Sequence, residues 1–352
     1  MRIWVFATLL ILLSIHAGCY YTHAYKGQLL QQISQVDIED YLEREEGLHP
    51  IAKHRLELIL SVRKFASEEI GLKAGDNYTR IYDTQGFAPS YVVSVAYPGQ
   101  LQYYYRWFPV VGKLPYKGYF DLEMAIAEAK RFAEKDYDIN IGQVSAYSTI
   151  GYFDDPVFST MLEYDEISLI GLIIHELLHN TVYKKDFAEF NESLATFFER
   201  EGTLLYIERT LGNDSGVYKH AVKSFADEDL FVDLVKELVQ ELNEFYAQEI
   251  GLEQKMKERQ SIFDKFKQKY KEMRDNGIFK TSDNDWLLDR KLNNALILNL
   301  STYKFNLDLY HRIYEIAGDL KKAIPIFNEA SKASDPIKFL ENYIKSSMNM
   351  HE

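Results

Sequence analysis

His175, Glu176 and His179 form an H-E-x-x-H pattern inside an unbroken apolar run from Leu169 to Leu178. On a helix, residues four apart share a face, so the two imidazoles can reach one metal ion. Glu176 sits beside the first of them, where a carboxylate can handle a proton on a metal-activated water. Residues of these types at this spacing point to zinc-dependent hydrolysis, with Glu176 as general base. Between Leu169 and Asn180 these three are the only ionisable side chains. The remainder is mostly Leu, Ile and Gly, which predicts a helix buried on nearly all sides. Polar groups buried without partners cost roughly 2–7 kcal/mol each. One metal ion would satisfy both imidazoles. The competing reading is a pair of hydrogen-bonded core histidines.

Catalytic zinc keeps three protein ligands and one open position, so a third ligand is expected on a neighbouring element. Phe187, Phe190, Leu194 and Phe197 recur at helical spacing and define a second helix. Glu192 lies on another face of it, between Ala188 and Ala195, where small neighbours permit close helix approach. Thr181–Asp186 is long enough to turn the chain back. Glu192 is therefore the preferred third ligand, with Glu189 and Glu199 as competing acids.

At these residues the chain resembles a bacterial family of predicted zinc aminopeptidase lipoproteins. The resemblance is carried by Trp107–Gly112, Pro115–Phe120, Ala146–Pro156, His175–His179 and Phe190–Ala195, with a weaker echo at Asn293–Ala295 and Tyr303. It covers most of the chain after the leader and is most specific over 146–198. It implies zinc on His175, His179 and Glu192, with Glu176 catalytic. Lys117 departs from it, standing where the family has arginine.

Peptide hydrolysis develops an oxyanion that needs a donor besides the metal. Tyr147, Tyr152, Tyr183, Tyr303 and His311 are candidates among 26 tyrosines and nine histidines. Tyr303 is favoured slightly, being expected on a helix of a lobe that could close over the zinc. The loop 147–155 ends in Asp154 and Asp155. Those carboxylates, with Tyr147, could hold a substrate's free α-amino group, or they could make a turn before Pro156.

The surrounding elements predict an α+β, helix-dominated protein of zincin-like plan. Tyr20 to about Leu72 reads as helical. Tyr91–Tyr97 is β-branched and aromatic and reads as a strand, with Leu101–Val111 as its expected partner. Asp121–Lys135 reads as a helix and Ile139–Ala146 as a further strand. A small sheet thus precedes the zinc helix, and an edge of it could hold extended substrate. Asp227–Asp275 reads as one or two long surface helices, in the second case a hairpin broken near Gly251. Trp286–Ala317 and Lys321–Ser347 complete a helical lobe punctuated by Pro325 and Pro336. One large domain or two closely joined lobes are expected, the lobes being 19–210, with the sheet and zinc helices, and 211–352.

The amino terminus reads as an export signal over residues 1–18. Arg2 precedes an apolar run from Ile3 to Ile15, shorter than the roughly 20 residues a spanning helix needs. Ala17-Gly18-Cys19 matches a lipoprotein processing site, so lipidation of Cys19 would tether the protein to a membrane of the cell envelope. Cys19 is the only cysteine, which excludes disulfides within the chain. The formal charge of −13 and the lack of a basic patch argue against a nucleic-acid partner. The expected partners are a peptide or protein substrate and the membrane. Two alternatives stand beside the aminopeptidase: a zinc endopeptidase of the envelope, and a non-catalytic lipid-anchored binding protein.

Overall fold

A computed structural model of the chain describes residues 31, 33–44, 48–108, 112–144, 154–301 and 307–349. Strand β1 (Val36–Asp37) leads directly into helix α1 (Ile38–Arg44). Pro50 opens α2 (Pro50–Phe65) at a position where its missing N–H costs nothing. Leu56, Ile59 and Val62 recur on one face of α2 and are fully buried. A π-helical turn over Ala66–Ile70 extends it, and Gly71 ends it in the left-handed region at φ +89°. The helical expectation for 20–72 therefore holds over Ile38–Arg44 and from Pro50 to Ile70. It fails at Val36 and Asp37, which pair instead with β2 (Arg80–Tyr82).

The β-branched segment forms β3 (Ser90–Ala96). Its expected partner pairs with it only at the start: Ala96 and Tyr103 form an antiparallel bridge and Tyr104 N donates to Val95 O at 2.8 Å, after which the segment leaves the sheet. β4 (Arg106–Phe108) turns back on β5 (Gly112–Leu114) as a two-stranded ribbon. Gly112, at φ +74°, supplies the conformation that this reversal uses. β6 (Tyr116–Tyr119) takes the vacated place beside β3, before α3 (Leu122–Ala133) and β7 (Asp138–Val144). The sheet order is β6-β3-β7, antiparallel throughout, with β6 at an edge. Tyr91, Val93 and Val95 alternate toward one face, where Ala125 of α3 covers them. β8 (Val157–Phe158) adds to β2 in parallel, completing a small sheet β1-β2-β8.

Helix α4 (Glu166–His179) carries the apolar run. Asp165 caps it, accepting from the Ser168 backbone N–H at 2.9 Å and its hydroxyl at 2.6 Å. The chain reverses and returns as α5 (Ala188–Leu211). Asn191, 2% exposed, clamps that reversal from within α5. Its side chain accepts from Lys184 N at 2.9 Å and donates to Lys184 O at 2.8 Å. Two glycines let α4 and α5 lie close. A methyl at Gly202 would stand 3.0 Å from Ile174 Cδ1, and one at Gly171 would stand 3.0 Å from Glu199 Cγ.

The expected hairpin is α6 (Gly216–Tyr246) and α7 (Leu252–Asp275), broken next to Gly251. It starts earlier than the charge pattern suggests because Ser215 caps α6. Five helices follow: α8 (Trp286–Asp289), α9 (Asn294–Ser301), α10 (Asp308–Ala317), α11 (Leu320–Lys332) and α12 (Pro336–Asn349). Pro325 lies inside α11 without ending it, while Pro336 opens α12. The largest core joins α2, α4 and α5 to α10, α11 and α12. A second core joins α6 and α7 to α8 and α9. The result is an α+β fold dominated by helices. Among the described residues, no helix is long and apolar enough to cross a membrane.

Candidate metal centre

The α4–α5 pair brings His175, His179 and Glu192 to one point. One potential ligand atom from each lies within 4.8 Å of the others. His175 Nε2 is 3.5 Å from Glu192 Oε2, and His179 Nε2 is 3.6 Å from Glu192 Oε1. These separations are long for hydrogen bonds. They suit ligands around a shared ion, since tetrahedral bonds of about 2.1 Å put donor atoms about 3.4 Å apart. The group could hold a metal ion.

An outer partner orients the first imidazole. Glu199, two turns beyond Glu192 on α5, lies 2.8 Å from His175 Nδ1. Accepting a proton there leaves Nε2 free to face Glu192. Gly171 makes room for that carboxylate one turn before His175. Among the described residues His179 has no such support, its Nδ1 being buried without a hydrogen bond there. The titration behaviour of the pair differs accordingly. Burial disfavours charge on His175, but the Glu192 and Glu199 carboxylates overcome it and push its pKa up to about 10. Burial and the His175 charge push His179 down to about 4. Glu199→Ala is expected to lower metal affinity 10- to 100-fold, the usual size of an outer-partner loss, as measured by chelator competition.

Glu176 is 9% exposed on the same helix. Burial pushes its carboxyl up to about 7, opposed by His175 and reinforced by Asp155, Glu192 and Glu199. Behind it lies an arrangement with no sequence signature. Tyr78 is fully buried with φ +59°, and its hydroxyl has no hydrogen-bond partner among the described residues. Burial raises its pKa, with Glu176 and then Asp155 adding to the effect. Its backbone N–H donates to Asp155 O at 2.7 Å, while Asn77 accepts from Asp155 N at 2.8 Å. Asp155 is 2% exposed and faces inward beside this pair, whereas Asp154 is exposed. A cavity of about 520 Å³ opens along α4 from His175, Glu176 and Glu192, past Leu172 and Ser168 to Asp165 and Tyr164, with Glu199 on its α5 side.

The remaining candidates lie as follows. Tyr183 is exposed and does not line the cavity. His311 packs edge-on against Phe197 and stands 3.8 Å from Glu201, away from the three-residue group. Tyr147, Tyr152, Tyr303 and Cys19 fall outside the described residues. One tyrosine absent from the candidates senses the charge of the centre. Tyr116, on β6 and 43% exposed, has its pKa raised by partial burial and then by the Glu192 carboxylate. It belongs to the Pro115–Phe120 block, which was the only sequence signal for it.

The comparison with family models gives one match. The family described as "Putative aminopeptidase" covers residues 19–336. The chain belongs to that family. The matched range takes in α4 and α5, the sheet and every described helix before α12. No curated protein and no solved structure matches the chain.

Proposed function

We propose that this aminopeptidase-family chain is a zinc-dependent, zincin-like peptidase that removes residues from free amino termini. The observation that carries the reading is the convergence of His175, His179 and Glu192, with Glu176 in the adjoining cavity wall. Two imidazoles and a carboxylate are the donor set of catalytic rather than structural zinc. Zinc bound there would supply Lewis acidity, polarising a substrate carbonyl and acidifying a water.

The chain's own residues supply the proton transfers. Glu176 takes the proton of the attacking water and returns it to the leaving amine. A carboxyl held near neutrality is suited to both halves of that task. Glu199 and Gly171 keep His175 in one tautomer. An edge of the sheet that precedes α4 is assigned to hold extended substrate by backbone hydrogen bonds. Tyr116 on β6 and, separately, Tyr303 are assigned as donors for the oxyanion. Tyr147, Asp154 and Asp155 are assigned to the substrate's amino end. The Ala17-Gly18-Cys19 sequence supports export and a lipid anchor at Cys19 in the cell envelope.

Zinc stoichiometry and cleavage of peptides with free or acetylated amino termini test the proposal together. One zinc per chain with cleavage of free peptides alone is expected. Equal cleavage of both sets would replace it with an endopeptidase. Neither zinc nor cleavage would leave a binding protein.

A further inference from the structure

The segment that ends in Tyr78 is fastened on both sides of Glu176. On one side, Lys73 N donates to Thr181 Oγ1 at 2.8 Å, and that hydroxyl donates to Leu177 O at 2.8 Å. The chain after α2 is thereby tied to α4 at the residue following Glu176. On the other side, Tyr78 N donates to Asp155 O at 2.7 Å, and Asn77 Oδ1 accepts from Asp155 N at 2.8 Å. Within the turn, Asn77 Nδ2 donates to Ala74 O at 2.9 Å, and Arg63 donates to Asn77 O at 2.8 Å. Tyr78 thus stands between Asp155 and α4, with its ring in the largest core.

Tyr78 carries features that packing alone does not require. Its φ of +59° lies in the left-handed region, which bulky side chains rarely enter. Such positions persist only where the surroundings fix them, and they concentrate at active sites. The ring is fully buried, and its hydroxyl has no hydrogen-bond partner among the described residues. Phenylalanine would fill the same space without stranding a polar group. Glu176 has the matching lack. It is 9% exposed, and its carboxylate makes no hydrogen bond among the described residues. Burial raises the phenol's pKa, with the Glu176 and then the Asp155 charge adding to the effect, so the hydroxyl stays protonated at neutral pH and available as a donor.

We propose that Tyr78 is a positioning residue whose hydroxyl donates to one oxygen of the Glu176 carboxylate and holds the other toward the cavity. The inference rests on the peptidase reading and deepens it. Tyr78 does not line the cavity, so it acts through Glu176 and not on substrate. A general base must keep its oxygen within hydrogen-bond reach of the proton it takes. A glutamate side chain has several rotatable bonds, and a bond from the core side selects among its rotamers. The clamped turn keeps the donor in place. Asp155 is the competing acceptor.

The test compares Tyr78→Phe with wild type as zinc-loaded full chains. The variant's kcat is expected to fall about 10- to 100-fold, the range for losing a hydrogen bond to a charged group, with KM and zinc content unchanged. Added to Glu176→Gln, the same change should cost no further turnover, because the group it acts through is already gone. Difference infrared spectra give a readout independent of turnover. A carboxylate stretching band should move between wild type and Tyr78→Phe, and the movement should vanish when both are compared in the Glu176→Gln background.

Wild-type kcat in Tyr78→Phe would overturn the positioning role while leaving the peptidase standing. So would a band movement that survives Glu176→Gln and disappears in Asp155→Asn, since Asp155 would then be the acceptor. Loss of zinc alongside kcat, or a further loss of turnover in the Glu176→Gln background, would also overturn it, by making the hydroxyl a structural group. No cleavage of any peptide by wild type, together with a band movement that depends on Glu176, would keep the hydrogen bond and overturn the peptidase.

Discussion

Glu176→Gln is expected to lower kcat by about 10²- to 10⁴-fold while leaving one metal ion per chain. The amide matches the carboxylate in size and still fits the cavity wall. It cannot take a proton from water, and general-base assistance is worth that factor. Metal should stay because Glu176 is not one of the three converging residues, and both imidazoles and Glu192 keep their positions. Elemental analysis and steady-state kinetics on the same preparation separate the two effects. Turnover near the wild-type level would remove Glu176 from the chemistry and would shift attention to Asp155, the buried carboxylate beside it. Loss of metal together with turnover would mean instead that Glu176 supports the group's geometry.

The centre was readable in the sequence because its parts are local. His175 and His179 lie four apart on one helix, and Glu192 follows on the next, so helical periodicity alone nearly places them. Asp121 and the start of α3 were readable for the same reason, a side chain acting on the backbone three residues on. What escaped detection depends on distant segments. Glu199 was visible only as a competing acid, since its role rests on Gly171 in another helix leaving it space. Tyr78 gives no signal at all, because its position comes from a turn held by Arg63, which donates to Asn77 O at 2.8 Å and also to Gly75 O. The pairing expected for 101–111 holds only where Tyr103 and Tyr104 meet the end of β3, because period-two patterning identifies a strand without naming its partner. Arg106–Phe108 has the residues of a strand and pairs with its own continuation. The Asn293–Ala295 echo reads differently in the structure as well. Asn294 is fully buried and donates to Tyr97 O at 2.9 Å, Gln100 O at 3.2 Å and Pro98 O at 3.3 Å, while accepting from the Tyr246 hydroxyl at 2.9 Å. It is a fastening between sheet and helices.

That fastening has a charged centre, and Arg259→Ala is expected to destabilise the fold by about 3–5 kcal/mol, the cost of stranding one member of a buried ion pair. Arg259 on α7 meets Asp138 at the start of β7 through two contacts, 2.5 and 2.8 Å, with both side chains 9% exposed. Burial disfavours its charge, yet the bonds to Asp138 hold its pKa above the ordinary arginine value. The same guanidinium donates to Pro98 O at 2.8 Å, and Asp138 also accepts from Asn294 N at 2.9 Å. Truncation would leave Asp138 with one donor in a site closed to water. Urea unfolding of metal-loaded protein gives the loss directly. The pair's net worth is a separate quantity. Two charges taken out of water together recover little beyond their desolvation, so Arg259→Met combined with Asp138→Leu should cost less than Arg259→Ala alone. If the double change costs more, the network's value lies in the connections Asp138 and Arg259 make to Asn294 and Pro98. The joint between the sheet and the α6–α7 hairpin would then be held by those backbone bonds, with the ion pair serving to aim them.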